Sequence, residues 1–182
     1  IAIPETQILA LSARLEHTRW PDHYDGSPWA LGVDPAYVRE LAQYWAKGYD
    51  WRSAEQRLNR EPQFIAQVGG LKIHYLHRRG VGPRPYPLVI THGWPGSFIE
   101  FMELLPHLCD PASVGADPAD AFDVVVPSLP GFGFSERPVK PGTSAFATAD
   151  LWVELMRGLG YERFGAQGGD LDRAFSLRRQ FD

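Results

Sequence analysis

Apolar positions along the chain change period twice. From Asp34 onward they recur at helical spacing: Asp34-Pro35 supplies a cap and a first-turn proline, Val38, Leu41, Tyr44 and Trp45 share one face, and Lys47-Gly48 closes the run. A second short helix starts at Asp50 and turns Trp51, Ala54 and Leu58 inward. The pattern predicts an amphipathic helical arm whose apolar face must pack on something. The period then falls to two. Phe64, Ala66 and Val68 alternate, Gly69-Gly70 forms a two-residue turn, and Leu71, Ile73, Tyr75 and His77 alternate on the return, which is a hairpin.

Beyond the loop Gly80 to Pro87 the apolar runs become short and continuous, as in strands buried on both faces of a parallel sheet: Leu88 to Ile90, Phe122 to Val126 and Phe164 to Gln167. Between them lie two helical patterns. One follows a capping box of Ser97 and Glu100 and carries Phe98, Phe101, Met102, Leu105 and Leu108; the other runs from about Ala145 to Leu159, with Trp152, Leu155, Met156 and Leu159 inward and Gly160 as its stop. Alternating strand and helix predicts an α/β fold, a mostly parallel sheet with right-handed crossovers. We divide the chain into 1–84, arm and first hairpin, and 85–182, the α/β core.

Composition narrows the function classes. The chain has 182 residues, 44% of them hydrophobic, with 18 Lys plus Arg against 22 Asp plus Glu in no long blocks of one sign. Neither nucleic acid nor a membrane surface is expected as a partner. The single cysteine, Cys109, forms no internal disulfide, and no run approaches the ~20 apolar residues of a membrane span, so a cytoplasmic location is expected. His74 and His77 point to opposite faces of a strand, and His17, His23 and His107 have no ligand spacing, so no metal is expected. Asp22, Asp25, Glu136 and Arg137 read as solvated loop charges.

Ligands of open parallel sheets gather at the carboxyl ends of the strands. Three loops leave that edge: His92 to Ser97, Pro127 to Pro138, and Gly168-Gly169-Asp170. A carboxylate on a tight strand-to-helix turn suits attack on an sp³ carbon, where a serine would suit acyl transfer. Asp170 also suits the cap of a following helix, and spacing alone favours the cap. His92 reads as a hydrogen-bonded structural residue.

The ordered set RWPD (Arg19 to Asp22), YW (Tyr44-Trp45), YDWR (Tyr49 to Arg52), Leu58 to Arg60, IHYLH (Ile73 to His77), THGWPGS (Thr91 to Ser97), PSLPGFGFS (Pro127 to Ser135) and QGGD (Gln167 to Asp170) resembles the microsomal-type epoxide hydrolases. The resemblance runs from about residue 4 to Asp170, and the family's N-terminal region would extend to about 108. It implies the first half of an α/β-hydrolase fold behind a helical arm. It also implies Asp170 as the nucleophile that opens an epoxide to an ester, the backbone N–H groups of Trp94 and Leu171 as the oxyanion hole, and His92, Gly93, Trp94, Pro95 and Phe132 around a small hydrophobic epoxide. No cofactor is implied.

The pattern breaks at Leu171-Asp172, where the family carries tryptophan and a small residue. The resemblance also implies a histidine base, its acid partner and lid tyrosines, yet no histidine follows His107 and no tyrosine follows Tyr161. A chain truncated or frame-shifted after the nucleophile is therefore expected, with negligible turnover and with self-association through an exposed sheet edge. The rival readings are a haloalkane-type hydrolase, which also uses an aspartate, and a non-catalytic interaction module.

Overall fold

The computed structural model describes residues 1–23, 26 and 29–169 and divides them between two compact units, Ile1–Arg60 and Glu61–Asp182. Asp25 and everything from Asp170 onward, including Leu171 and Asp172, lie outside the described residues.

The first unit is helical. Helix α1 (Glu5–Glu16) packs on α2 (Pro35–Lys47), which begins as expected, with the Asp34 carboxylate accepting the Ala36 N–H ahead of Pro35. Helix α3 (Trp51–Leu58) is capped by Asp50, whose side chain accepts from the Ser53 N–H, and buries Ala54 and Leu58. Arg52 holds the N-terminal segment by donating to Ile3 O and to the carboxylates of Glu5 and Glu55. Asn59 exchanges two hydrogen bonds with the Ile1 backbone.

The inward face expected of α2 is not the one it buries. Leu41, Tyr44 and Trp45 are each about half exposed, and the partly buried row is Val38, Ala42 and Ala46. Alanines at i and i+4 let two helices approach closely, so the small-residue row turns toward a helix neighbour and the bulky row turns away.

The second unit is a five-stranded sheet in the order β1-β2-β4-β3-β5. Strands β1 (Gln63–Val68) and β2 (Leu71–Arg78) form the hairpin, with Gly69 and Gly70 both at positive φ as a type I′ turn requires. Strands β3 (Tyr86–Thr91), β4 (Phe122–Pro127) and β5 (Gly165–Gly168) are parallel to one another, while β2 runs antiparallel to β4. The sheet is thus mixed rather than mostly parallel. The hairpin, grouped with the arm in the division at 84 and 85, belongs with the sheet because β2 pairs with β4.

Helix α5 (Ala145–Gly158) covers one face, where Trp152, Leu155 and Met156 pack with Val68, Ile73, Tyr75, Val89 and Val125. On the other side the single helix expected after Ser97 is two pieces, a 3₁₀ turn Phe98–Phe101 and α4 (Leu104–Cys109). An unbroken helix from Phe98 would require the Pro106 nitrogen to donate to Met102; the break moves Pro106 into a first turn, where no donor is needed. Among the described residues no helix is long and apolar enough to cross a membrane.

Candidate active site

Parallel β3, β4 and β5 end at one edge, where their loops meet. Next to the β3 and β5 ends lies an open cleft of about 390 Å³, lined by Thr91, Gly93, Trp94, Pro95, Gly96, Glu100, Phe101, Gln167 and Gly169. Gly169 immediately precedes Asp170, so the cleft reaches the last described residue before the expected nucleophile. Asp170 itself and Leu171, the second expected oxyanion donor, lie outside the described residues. Gly93, Trp94 and Pro95, expected around the substrate, line the cleft together, and Trp94 is 65% exposed.

His92 and Phe132 are placed differently. His92 is fully buried and is absent from the cleft lining, and Phe132 packs against it with ring centroids 5.6 Å apart. The protonation pattern of His92 follows from its partners. An amide can only donate, so the Leu129 N–H at 3.1 Å requires a bare Nε2; the proton then sits on Nδ1, 3.1 Å from Gly93 O. Burial pushes its pKa below the ordinary histidine value, against an opposing pull from the Gly93 carbonyl. His92 is therefore a neutral staple joining the β3 loop to the β4 loop. Both ring nitrogens are occupied, which leaves none to contact substrate.

A second buried histidine anchors the β4 loop. His74 Nδ1 lies 2.9 Å from Ser128 Oγ and Nε2 lies 2.9 Å from Gln63 Oε1. The His74 N–H donates to Ser135 Oγ, and the Ser135 hydroxyl donates to Ser128 O. Burial lowers the His74 pKa to about 4, so the ring is neutral at pH 7. Nothing in the sequence spacing distinguishes this serine–histidine contact from coincidence, because it depends on the β2–β4 pairing. Glu136, expected to be a solvated charge, closes the same loop: its carboxylate accepts the Lys72 N–H at 2.9 Å and its N–H donates to Lys72 O at 2.8 Å.

At the opposite end of β4, Asp123 accepts from the Gly80 N–H, the Arg79 guanidinium and the Tyr161 hydroxyl. His77 faces this group through Tyr161, on the other side of β2 from His74, and no cluster of metal-ligand type occurs among the described residues.

The sheet order, the two crossovers and the cleft beyond the carboxyl ends of the strands define an α/β-hydrolase fold, and the sequence pattern of that fold matches residues 86–171. The pattern described as "Epoxide hydrolase N terminus" matches residues 1–101, and the chain belongs to the epoxide hydrolase family. It is 47% identical over 170 residues to a Stigmatella aurantiaca protein named "Putative epoxide hydrolase", a match that covers 93% of this chain and 39% of that one. Epoxide hydrolase 1 of Oryctolagus cuniculus is 36% identical, over 91% of this chain and 37% of its own. Among solved structures, juvenile hormone epoxide hydrolase from the silkworm Bombyx mori superposes with a TM-score of 0.84 at 31% identity, over 97% of this chain and 47% of that one. The chain thus spans less than half the length of the relatives it matches.

Proposed function

We propose that Asp170 attacks a carbon of a small hydrophobic epoxide and that the chain takes part in hydration of epoxides to vicinal diols. The observation that carries this is the meeting of the Trp94 turn and Gly169, the residue before Asp170, in one cleft. In the first step a carboxylate oxygen forms a bond to an epoxide carbon, the ring C–O bond breaks, and the released alkoxide takes a proton from solvent. In the second, water adds to the ester carbonyl, the N–H groups of Trp94 and Leu171 stabilise the oxyanion, and collapse frees the diol and regenerates the carboxylate.

The second step needs a base, and the histidines beneath the cleft do not serve. His92 has both nitrogens committed to backbone groups, and those of His74 are held by Ser128 and Gln63. We therefore expect the 182-residue chain to accumulate the ester faster than it releases diol. Incubation with styrene oxide and intact-mass analysis tests this: a single adduct, absent in Asp170→Asn, is expected, and sustained multi-turnover diol formation would overturn the stalled second step. We also propose self-association through β5, which pairs with β3 alone among the described strands, and a cytoplasmic site of action. A sedimentation coefficient independent of concentration would remove the self-association.

A further inference from the structure

Among the described residues that line the cleft, one carries an ionisable side chain, Glu100, and its carboxylate is turned into the loop. Glu100 Oε1 accepts the Ser97 N–H at 2.9 Å. Beside it the Gly96 N–H donates to Gly93 O at 2.9 Å, and the Glu100 N–H donates to Ser97 O at 3.2 Å. A Cβ on Gly96 would collide with Glu100 Oε1 and lie 2.7 Å from Gly93 O, so glycine is required for the carboxylate to come so close. The Gly96 to Gly93 bond closes a four-residue turn that contains Trp94, and the Glu100 bonds hold Ser97, the next residue along.

We propose that Glu100 is a positioning residue for the oxyanion loop, fixing the direction of the Trp94 N–H by anchoring Ser97 directly after the turn Gly93 to Gly96; the inference rests on the function proposed above. As part of a capping box the carboxylate needs only to satisfy a donor at the start of a 3₁₀ turn. Its place in the cleft wall gives that bond a second consequence. The donor that must meet a developing oxyanion belongs to the turn whose end the bond anchors, and a misplacement of ~1 Å at such a site costs on the order of a hundredfold in rate.

The test compares Glu100→Ala with Glu100→Gln, which keeps an oxygen acceptor for Ser97 without the charge. The first readout is hydrogen exchange at the Gly96 and Ser97 amides, which does not depend on chemistry: protection should fall in the alanine variant and be retained in the glutamine variant. Unchanged protection in Glu100→Ala overturns the clamp. The second readout is the release of diol from the styrene oxide adduct, where the oxyanion forms. Release should slow about tenfold in Glu100→Ala and stay within about threefold of the parent in Glu100→Gln. Equal slowing in both variants, or parent-like release from an alanine variant that has lost amide protection, overturns the positioning role. Absence of any adduct in the parent chain counts against the proposed function instead, and the exchange comparison still decides the clamp.

Discussion

At the scale of single residues, the site is held by neutral histidines whose partners dictate their tautomers. Ser128→Ala would leave His74 Nδ1 buried without its partner at 2.9 Å and should cost about 1–3 kcal/mol. A urea midpoint unchanged from the parent would show that this contact adds nothing. Residue identities were legible in the sequence to different degrees. The Ser97 and Glu100 capping box needed only local spacing, and the structure forms it. The staple made by His92 required knowing that Leu129, on another strand's loop, comes within 3.1 Å of Nε2, which depends on the parallel pairing of β3 and β4. Placing His92 against the substrate, as the motif suggests, overlooks that its ring is consumed by two backbone groups.

At the scale of elements, helix α5 packs on the sheet through Trp152, which is 2% exposed within the apolar core cluster. Its indole Nε1 is buried with no hydrogen-bond partner among the described residues. Trp152→Ala should therefore lose about 3–5 kcal/mol by cavity formation, while Trp152→Phe, which also removes the unpaired donor, should lose much less. Equal losses in thermal or urea unfolding would contradict the cavity account, since both variants lack the indole donor and differ in the volume left empty. The bounds of α5 and the positions of β1 to β4 followed from hydrophobic period and turn residues, because those signals are local. The broken helix had its signal in Pro106, and an apolar face of five residues outweighed it. The orientation of α2 had no such signal: its aromatic row and its alanine row are both plausible inner faces until the neighbouring helix is known.

At the scale of the whole molecule, burial sets the response to acid. His74, His77 and His92 all have pKa values lowered mainly by burial, His74 to about 4. Each is neutral in the fold but titrates near 6.5 when unfolded, so the unfolded chain binds more protons as pH drops. Their stabilising contribution is complete above about pH 6.5 and declines as pH falls below it; for His74 the loss continues toward pH 4 and amounts to on the order of 2–3 kcal/mol. Asp123 adds a later loss. Burial raises its pKa, but the Gly80 N–H, Tyr161 and Arg79 together outweigh that and leave it below the ordinary carboxylate value. Its contribution fades only in more acidic solution. Urea midpoints measured from pH 7.5 down to 4.5 should fall steadily, and a flat profile would contradict the buried neutral state of these rings.

The sheet order has a kinetic side as well. β1 and β2 meet across a two-residue turn, whereas β5 reaches β3 only after the chain from Leu88 to Gly165 has been drawn closed. Loop-closure entropy grows with that separation, so the hairpin is the cheapest pairing to form and the β3–β5 ladder among the most expensive. Since β5 delivers Gly169 to the cleft, the edge that carries the candidate site should be assembled after the hairpin.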